Sequence, residues 1–307
     1  MPIKPPMLRS GDTIGLVTLG SPLAAQTINA GIATLRQLGF HVVVGNSVYA
    51  ETGFLAGSAQ MRAKDLMDMF TNDNVDMILP TRGGVGVAEI LPYLDYAFIQ
   101  NHPKIISGYS DITILLNVLA QQANLITLHS LLLLDFSPVT PAYNYNQFFS
   151  ATSNVTSRRQ IENPPNMPQI SRVSGNVTGP IVGGNLTSFV GSLGTPYEID
   201  TKGKIILLEE TSEPINTVFR YINQLKLAGK FDDCLGIVMG ECTNCPEAYH
   251  TTYEDLINAV MVPLGKPLMT NVASGHGFYK AAIPIGATVN LDTINNTLTV
   301  TESTVTA

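Results

Sequence analysis

A serine between a strand pattern and a helix pattern is the first residue of this chain that could do chemistry. The segment Lys104 to Leu119, KIISGYSDITILLNVL, is an apolar strand that passes through Gly108-Tyr109-Ser110-Asp111 into a helix. A serine on such a tight turn is held away from the sheet, and N–H groups of the first helical turn can stabilise an oxyanion beside it. The motif G-x-S-x-G is only half met, because Ile112 stands at its fifth position. Ser110 is a candidate nucleophile, and the alternative is that Ser110 or Asp111 only caps the helix.

A serine nucleophile needs a base, and the chain offers five histidines for that role. His276 has the most suggestive surroundings, because Gly275 and Gly277 flank it in a predicted loop where the backbone can turn the imidazole toward a cleft. A single loop histidine is more often a solvated surface residue, so this pattern alone does not identify His276 as the base. Of the other four histidines, His41 lies in a strand pattern and His102 in a turn. His129 ends a strand pattern, and His250 follows a loop.

The carboxylate that orients the imidazole should be partly buried at the end of a strand. The apolar strand Lys204–Leu208 ends in Glu209 and Glu210. Because side chains alternate along a strand, these two carboxylates are predicted to point to opposite sides, one toward an interior cleft and the other into water. The alternative is a solvated strand end.

Two further motifs give weaker signals. Cys242-Thr243-Asn244-Cys245 has C-x-x-C spacing, but it has no second pair for zinc and does not open a helix after a first strand. Chance or core packing is the favoured interpretation. Arg82-Gly83-Gly84-Val85-Gly86 is neither a dinucleotide fingerprint nor a phosphate-binding loop. Close approach of its backbone to a ligand, or an oxyanion donor, fits better, and no metal or cofactor is predicted.

The first 135 residues alternate strand and helix patterns, which predicts right-handed βαβ units and a parallel sheet. Sites in such sheets lie at the carboxyl ends of the strands. Three turns are predicted to meet there, at Gly20-Ser21-Pro22, Arg82-Gly83-Gly84 and Gly108-Tyr109-Ser110. The predicted elements are strands at Thr13–Thr18, Phe40–Val44, Val75–Leu79, Lys104–Ser107 and Leu125–His129, and helices at Ala24–Leu38, after a Ser58 cap, through Ile90 and Leu91, and from Asp111 to Gln122.

The pattern changes after residue 136. Residues 137–174 are crowded with Pro, Asn, Ser and Gln and are predicted to be a linker or excursion between an N-terminal α/β domain, 1–136, and a mixed, β-rich α/β domain, 175–307. The predicted elements of this last part are strands at Asn176–Val182, Lys204–Leu208, Leu235–Met239, Ile283–Leu291 and Thr297–Thr301, and helices at Leu186–Leu193, Pro214–Ala228 and Tyr253–Val260.

Composition excludes several classes of protein. Of the 307 residues 45% are apolar and 13% are charged, so the chain is neither disordered nor highly charged. The net charge of −7 argues against a nucleic-acid or anionic-membrane partner. No apolar stretch approaches the roughly 18 residues of a membrane-spanning helix, and no secretory signal pattern is found. The prediction is a cytoplasmic protein.

Taken in order along the chain, these segments resemble the LD-carboxypeptidase family of serine peptidases, which act on muropeptides and include the microcin-immunity peptidases. The resemblance extends from about residue 8 to residue 290. The matching stretches are Gly11-Asp12-Thr13 with Ser21-Pro22, Gly53 to Gly57, Arg82-Gly83-Gly84 with Leu91 to Tyr96, Gly108 to Asp111, Gly183 to Leu186, Gly194-Thr195-Pro196, Leu208-Glu209-Glu210, Gly275-His276 and Ile283 to Gly286.

The resemblance implies a triad of Ser110 as nucleophile, His276 as general base and acid, and Glu209 as the orienting carboxylate, with Glu210 as the second choice. It implies oxyanion donors at the backbone of Asp111 and Gly84, beside Gly83. The expected reaction removes the C-terminal D-alanine from muropeptide tetrapeptides in cell-wall recycling, and the family also allows a homodimer. The alternatives are a microcin-immunity-type amidase that cleaves peptidyl-nucleotide conjugates and a catalytically silent peptide-binding protein.

Overall fold

The computed structural model describes all 307 residues and contains two β-sheets with helices packed against them. The predicted fold class, a parallel α/β sheet followed by a mixed, β-rich region, is confirmed. The strands are β1 (Thr13–Val17), β2 (His41–Val44), β3 (Met77–Pro80), β4 (Ile105–Gly108), β5 (Thr127–His129), β6 (Arg159–Gln160), β7 (Ile170–Val173), β8 (Asn176–Asn185), β9 (Ile205–Thr211), β10 (Gly236–Thr243), β11 (Leu268–Val272), β12 (Ile283–Ile285), β13 (Thr288–Asp292) and β14 (Thr297–Val300).

Eight α-helices connect these strands, and none is long and apolar enough to span a membrane. Ser58 caps the second helix as predicted, because its side chain accepts a hydrogen bond from Met61 N. The segment through Ile90 and Leu91 is a 3₁₀ helix, Val87–Tyr93, rather than an α-helix. The α-helices are α1 (Ala25–Gln37), α2 (Ala59–Thr71), α3 (Tyr96–Asn101), α4 (Ile112–Gln122), α5 (Ala142–Thr152), α6 (Leu186–Gly191), α7 (Ile215–Leu227) and α8 (Tyr253–Leu256).

The first sheet has the strand order β12-β5-β4-β3-β1-β2. Strands β1 to β5 are parallel, and β3 and β4 are buried along their whole length, as expected for a parallel sheet covered on both faces. The edge strand β12 comes from the C-terminal part of the chain and runs antiparallel to β5. The prediction of one strand over Ile283–Leu291 is therefore wrong, because the chain turns at Gly286 and β12 and β13 belong to different sheets.

The second sheet has the order β6-β14-β13-β8-β9-β10-β11-β7, with a parallel centre from β8 to β11 and antiparallel strands on both sides. Residues 137–174, predicted to be a linker, contain α5 and the two edge strands of this sheet, β6 and β7. The division of the chain into domains at residues 136 and 174 stays a prediction.

Helix α4 joins the two sheets. Its sequence is apolar around nearly the whole circumference, which is typical of a helix buried on all sides, and Ile112 to Leu119 are all buried. Asn117 exchanges two hydrogen bonds with the backbone of Gly183 in β8, at 2.7 and 2.9 Å, and Thr113 Oγ1 accepts one from Asn185 N. One continuous apolar core contains side chains from both sheets. The two halves are therefore packed together directly at the level of the turn that precedes α4.

Candidate active site

Ser110 lies in the turn between β4 and α4, where the sequence pattern places it. Its φ of 62° is in the left-handed region, which costs a non-glycine residue roughly 1 kcal/mol or more and is typical of strained positions at functional sites. Its carbonyl oxygen accepts hydrogen bonds from Thr113 N at 2.9 Å and Ser188 Oγ at 3.5 Å, whereas its hydroxyl makes none. The half-buried hydroxyl is therefore free to react with a bound molecule.

The three predicted rim turns meet around Ser110. A Cβ atom on Gly83 would lie 2.7 Å from Ser110 Cβ and 2.8 Å from Asp111 N, so only glycine allows this close approach. Ser21 holds the same loop, because its N–H donates to Gly83 O and its hydroxyl accepts from Val85 N. The N–H groups of Gly84 and Asp111 donate to no protein acceptor. They are therefore available to an oxyanion.

Asp111 connects the turn to two other segments instead of capping α4. It stands at the N-cap position but makes no side-chain bond to the helix. Its carboxylate accepts a hydrogen bond from Val87 N at 2.8 Å and another from Ser188 Oγ at 3.1 Å. Burial raises the pKa of this carboxyl, and the two hydrogen bonds oppose the rise. The alternative in which Ser110 or Asp111 only caps the helix does not describe this geometry.

Glu209 and His276 come from the second half of the chain and are in direct contact. Glu209 Oε2 lies 2.9 Å from His276 Nδ1 and 3.3 Å from His276 N. A Cβ atom on Gly275, whose φ is 61°, would lie 2.2 Å from the Glu209 carboxyl carbon, so this glycine lets the loop reach the carboxylate. Burial disfavours the charge on Glu209, but interactions with His129 and His276 outweigh burial and lower its pKa to about 2. Glu209 is therefore a carboxylate at neutral pH.

The imidazole of His276 lies beside the Ser110 turn. Its ring is edge-on to Tyr109, with 5.0 Å between the ring centroids, and Tyr109 directly precedes Ser110. The His276 side chain is 20% exposed. A cavity of about 400 Å³ opens on one side of the ring and is lined by His276 and Lys280 but not by Ser110. The structure thus brings the predicted base, acid and nucleophile turn to one place.

Helix α5 supports the His276 loop, a role that the sequence pattern did not reveal. Asn144 Nδ2 donates to Phe278 O at 3.1 Å, and Asn144 Oδ1 accepts from Lys280 N at 2.9 Å. Lys280 Nζ in turn donates to Gly277 O at 2.7 Å. The aromatic residues of the AYNYNQFFSAT segment recur at helical spacing, which was the available signal for α5.

His129, which the sequence left without a role, is a fully buried residue on the other side of Glu209. Its Nε2 lies 3.8 Å from Glu209 Oε1. The two oxygens of one carboxylate therefore face two different imidazoles. The remaining histidines, His41, His102 and His250, are exposed, and His102 stacks on Phe98.

Glu210 does not contact any histidine. Its side chain points away from that of Glu209, as period two predicts, and accepts hydrogen bonds from Asn185 Nδ2, Thr187 N, Thr187 Oγ1 and Thr211 N. The expectation that one of the two glutamates stays in water is wrong, because Glu209 is 1% and Glu210 3% exposed. The start of α6 covers Glu210, so its carboxylate holds that helix in place.

The C-x-x-C motif forms a disulfide between Cys242 and Cys245, which corrects its interpretation as chance or core packing. Cys234 is a free, buried cysteine. No group of three or more His, Cys, Asp or Glu side chains is arranged to hold a metal ion.

Comparison with known proteins covers most of the chain. Residues 14–130 match the LD-carboxypeptidase N-terminal domain, and residues 178–291 match the LD-carboxypeptidase C-terminal domain. A probable murein peptide carboxypeptidase from Bacillus subtilis (strain 168) is 34% identical over 303 residues, which cover 96% of this chain and 93% of that protein. A murein tetrapeptide carboxypeptidase from Pseudomonas aeruginosa is 29% identical over 290 residues, covering 91% of this chain and 93% of that protein.

The chain is also similar to a self-immunity protein. The microcin C7 self-immunity protein MccF from Escherichia coli is 26% identical over 332 residues, which cover 98% of this chain and 96% of that protein. A solved structure of MccF in complex with glutamyl sulfamoyl guanosine has a TM-score of 0.93 at 24% identity, covering 99% of this chain and 100% of that one. The similarity to the solved MccF structure shows that the two proteins share a fold.

Proposed function

Because the chain belongs to the LD-carboxypeptidase family, as its sequence motifs suggested, we propose that it hydrolyses muropeptide tetrapeptides in cytoplasmic cell-wall recycling. The bond cleaved joins the L-centre of a diamino acid to a C-terminal D-alanine. The observation that carries this proposal is the 2.9 Å contact between Glu209 and His276 beside the Ser110 turn. Two relatives named for murein peptides support the substrate class.

In the proposed reaction His276 removes the proton from the Ser110 hydroxyl, and Ser110 Oγ attacks the carbonyl carbon of the scissile bond. The free N–H groups of Asp111 and Gly84 donate to the oxyanion that forms. Glu209 holds Nδ1–H of the imidazole and stabilises its charged form. His276 then gives the proton to the leaving amine of D-alanine, and water releases the shortened peptide from Ser110.

The Ser110 hydroxyl has no hydrogen bond to His276 in this structure. Such bonds often tighten only when substrate is bound, and the unpartnered hydroxyl needs no existing contact to break before it turns toward the imidazole. The loop that carries His276 is held by Glu209 and by α5, so the proposal places the required movement on the Ser110 side.

The test is release of free D-alanine from purified tetrapeptides that contain either diaminopimelate or lysine. We expect turnover by the wild type and a loss of roughly 10⁴-fold in kcat for Ser110→Ala. Ser157→Ala removes an exposed hydroxyl elsewhere and serves as the matched control. Near-normal turnover by Ser110→Ala would show that the nucleophile is another group.

Two alternatives predict different results in the same assays. An amidase of the microcin-immunity type would cleave a peptidyl-nucleotide amide and leave the tetrapeptide intact. The lower identity to MccF, 26% against 34% for the murein peptide carboxypeptidase relative, favours the peptide substrate. A silent peptide-binding protein would cleave neither, and Ser110 would not be labelled by a fluorophosphonate.

A further inference from the structure

The second imidazole beside Glu209 is fixed in position by the first sheet. His129 is the last residue of β5, and its backbone pairs with Gly108 of β4 on one side and with Ile283 of β12 on the other. Gly108 is two residues before Ser110. The sheet therefore holds His129 at the same level as the nucleophile turn, with its side chain fully buried.

His129 and Glu209 leave complementary atoms unpaired. Both ring nitrogens of His129 and Oε1 of Glu209 are buried and have no hydrogen-bond partner. An unpaired buried polar group costs about 1–3 kcal/mol, so three of them in one place call for a physical reason. A carboxylate oxygen can only accept and an imidazole always carries at least one N–H, so the two groups can satisfy each other. A shift of about 1 Å brings the 3.8 Å pair to hydrogen-bond distance.

The surroundings leave the His129 ring little freedom to move away. A Cβ atom on Gly184 would lie 2.8 Å from His129 Cδ2, so the backbone of β8 covers that face. The Tyr109 ring lies on another side, with 6.5 Å between the ring centroids. The other titratable group that acts on Glu209 is His276, and burial together with the Glu209 charge in turn raises the pKa of Glu210, Tyr109 and Tyr253.

We propose that His129 is a positioning residue of the hydrolytic site: its Nε2–H donates to Glu209 Oε1 and fixes the plane of the carboxylate. Oε2 then faces His276 Nδ1, and the imidazole is held in the orientation that the reaction needs. His129 does not contact substrate, because it is fully buried. The predicted effect of His129 on catalysis rests on the function proposed above. The predicted hydrogen bond between His129 and Glu209 does not depend on that function.

Kinetics of two substitutions measure the effect. We expect His129→Phe, which keeps a ring but removes the donor, to lower kcat roughly 10- to 100-fold with KM nearly unchanged, the range known for outer-shell partners that orient metal ligands. His129→Gln restores an N–H donor and should recover most of the loss. In a Glu209→Ala background, His129→Phe should cause no further loss, because it acts through Glu209. His102→Phe is the matched control, since His102 is exposed.

Kinetic results contradict the proposal if His129→Phe keeps its kcat within twofold, or if its loss adds fully to that of Glu209→Ala. Nitrogen-15 NMR of the histidines in the wild-type protein tests the contact without any substrate or variant. Nε2 of His129 should carry a proton that is shifted downfield and protected from exchange. A His129 protonated only on Nδ1 overturns the proposal. Failure of the wild type to cleave tetrapeptides would instead overturn the proposed function.

Discussion

The two regions that form the proposed site are held in place in different ways. Ser110 owes its position to a few neighbours along the chain, because β4 ends at Gly108 and α4 begins at Ile112. His276 owes its position to residues far away in the sequence, which include Glu209 in β9 and Asn144 in α5. The first arrangement is set mainly by one short segment, with the Gly83 loop and Ser188 packed against it. The second exists only when most of the chain has folded.

This difference has a consequence for substitutions. Changes near Ser110 should alter catalysis mainly when they touch the turn itself, the glycine loop packed on it, or Ser188, which donates to Ser110 O and to the Asp111 carboxylate. Changes that weaken catalysis through His276 can lie more than 100 residues away in sequence, as Asn144 does. The following predictions test this contrast: three concern the reaction, from the largest expected effect to the smallest, and the last concerns stability.

The largest effect tests whether the two regions act as a unit. We expect Ser110→Ala and His276→Ala each to lower kcat for tetrapeptide hydrolysis by roughly 10⁴-fold, and the double variant to be no slower than either single one. The reason is that the base has no function without its nucleophile. Rates of D-alanine release measure all three variants, and losses that multiply would mean that the two groups act independently.

The second prediction concerns the loop that carries the base. Gly275→Ala places a methyl group against the Glu209 carboxylate, so we expect kcat to fall by roughly 10²-fold through misplacement of the imidazole. Gly265→Ala is the matched control, since Gly265 has a similar φ of 69° with open space around it. Steady-state kinetics compare the two, and equal losses would attribute the effect to backbone strain alone.

The third prediction concerns remote support. Asn144→Ala removes both hydrogen bonds between α5 and the His276 loop, and we expect a loss of roughly tenfold in kcat. The control is Asn146→Ala, an exposed position on the same helix. If both variants keep wild-type rates, α5 does not position the base.

The last prediction concerns the pH dependence of stability rather than the rate of the reaction. The pKa of Glu209 is lowered to about 2 in the folded protein, so its contribution to stability is complete above the ordinary glutamate pKa and is lost as the pH falls toward 2. We expect the free energy of unfolding of the wild type to decrease more steeply between about pH 5 and pH 2 than that of Glu209→Gln, by roughly 3 kcal/mol in total. Urea unfolding at several pH values measures both slopes, and parallel slopes would contradict the prediction.

The contrast also explains what the sequence could predict. Strand β1 is predicted at Thr13–Thr18 and spans Thr13–Val17, because an apolar run this short, ended by Gly and Pro, fits a buried strand better than a helix. The Ser110 turn was predicted for the same reason. Helix α5 was missed because Pro, Asn and Ser dominate its neighbourhood and conceal the helical spacing of Tyr145, Phe148 and Phe149.

Contacts between distant residues could not be predicted from local patterns. Alternation along β9 predicts that the side chains of Glu209 and Glu210 point to opposite sides. It does not predict that the start of α6 buries Glu210, because α6 meets β9 only in the folded protein. Nothing near His129 in the sequence indicates that it lies beside Glu209, 80 positions later. The family resemblance, and not spacing, distinguished Glu209 from Glu210.

The position of strand β12 has a consequence for synthesis of the protein. This strand pairs with β5 and completes the first sheet only after residue 285 has been added. Until then the N-terminal sheet has an unpaired edge at β5, where His129 lies. We therefore expect a chain that stops upstream of residue 283 to lack β12 and to leave the β5 edge open to aggregation.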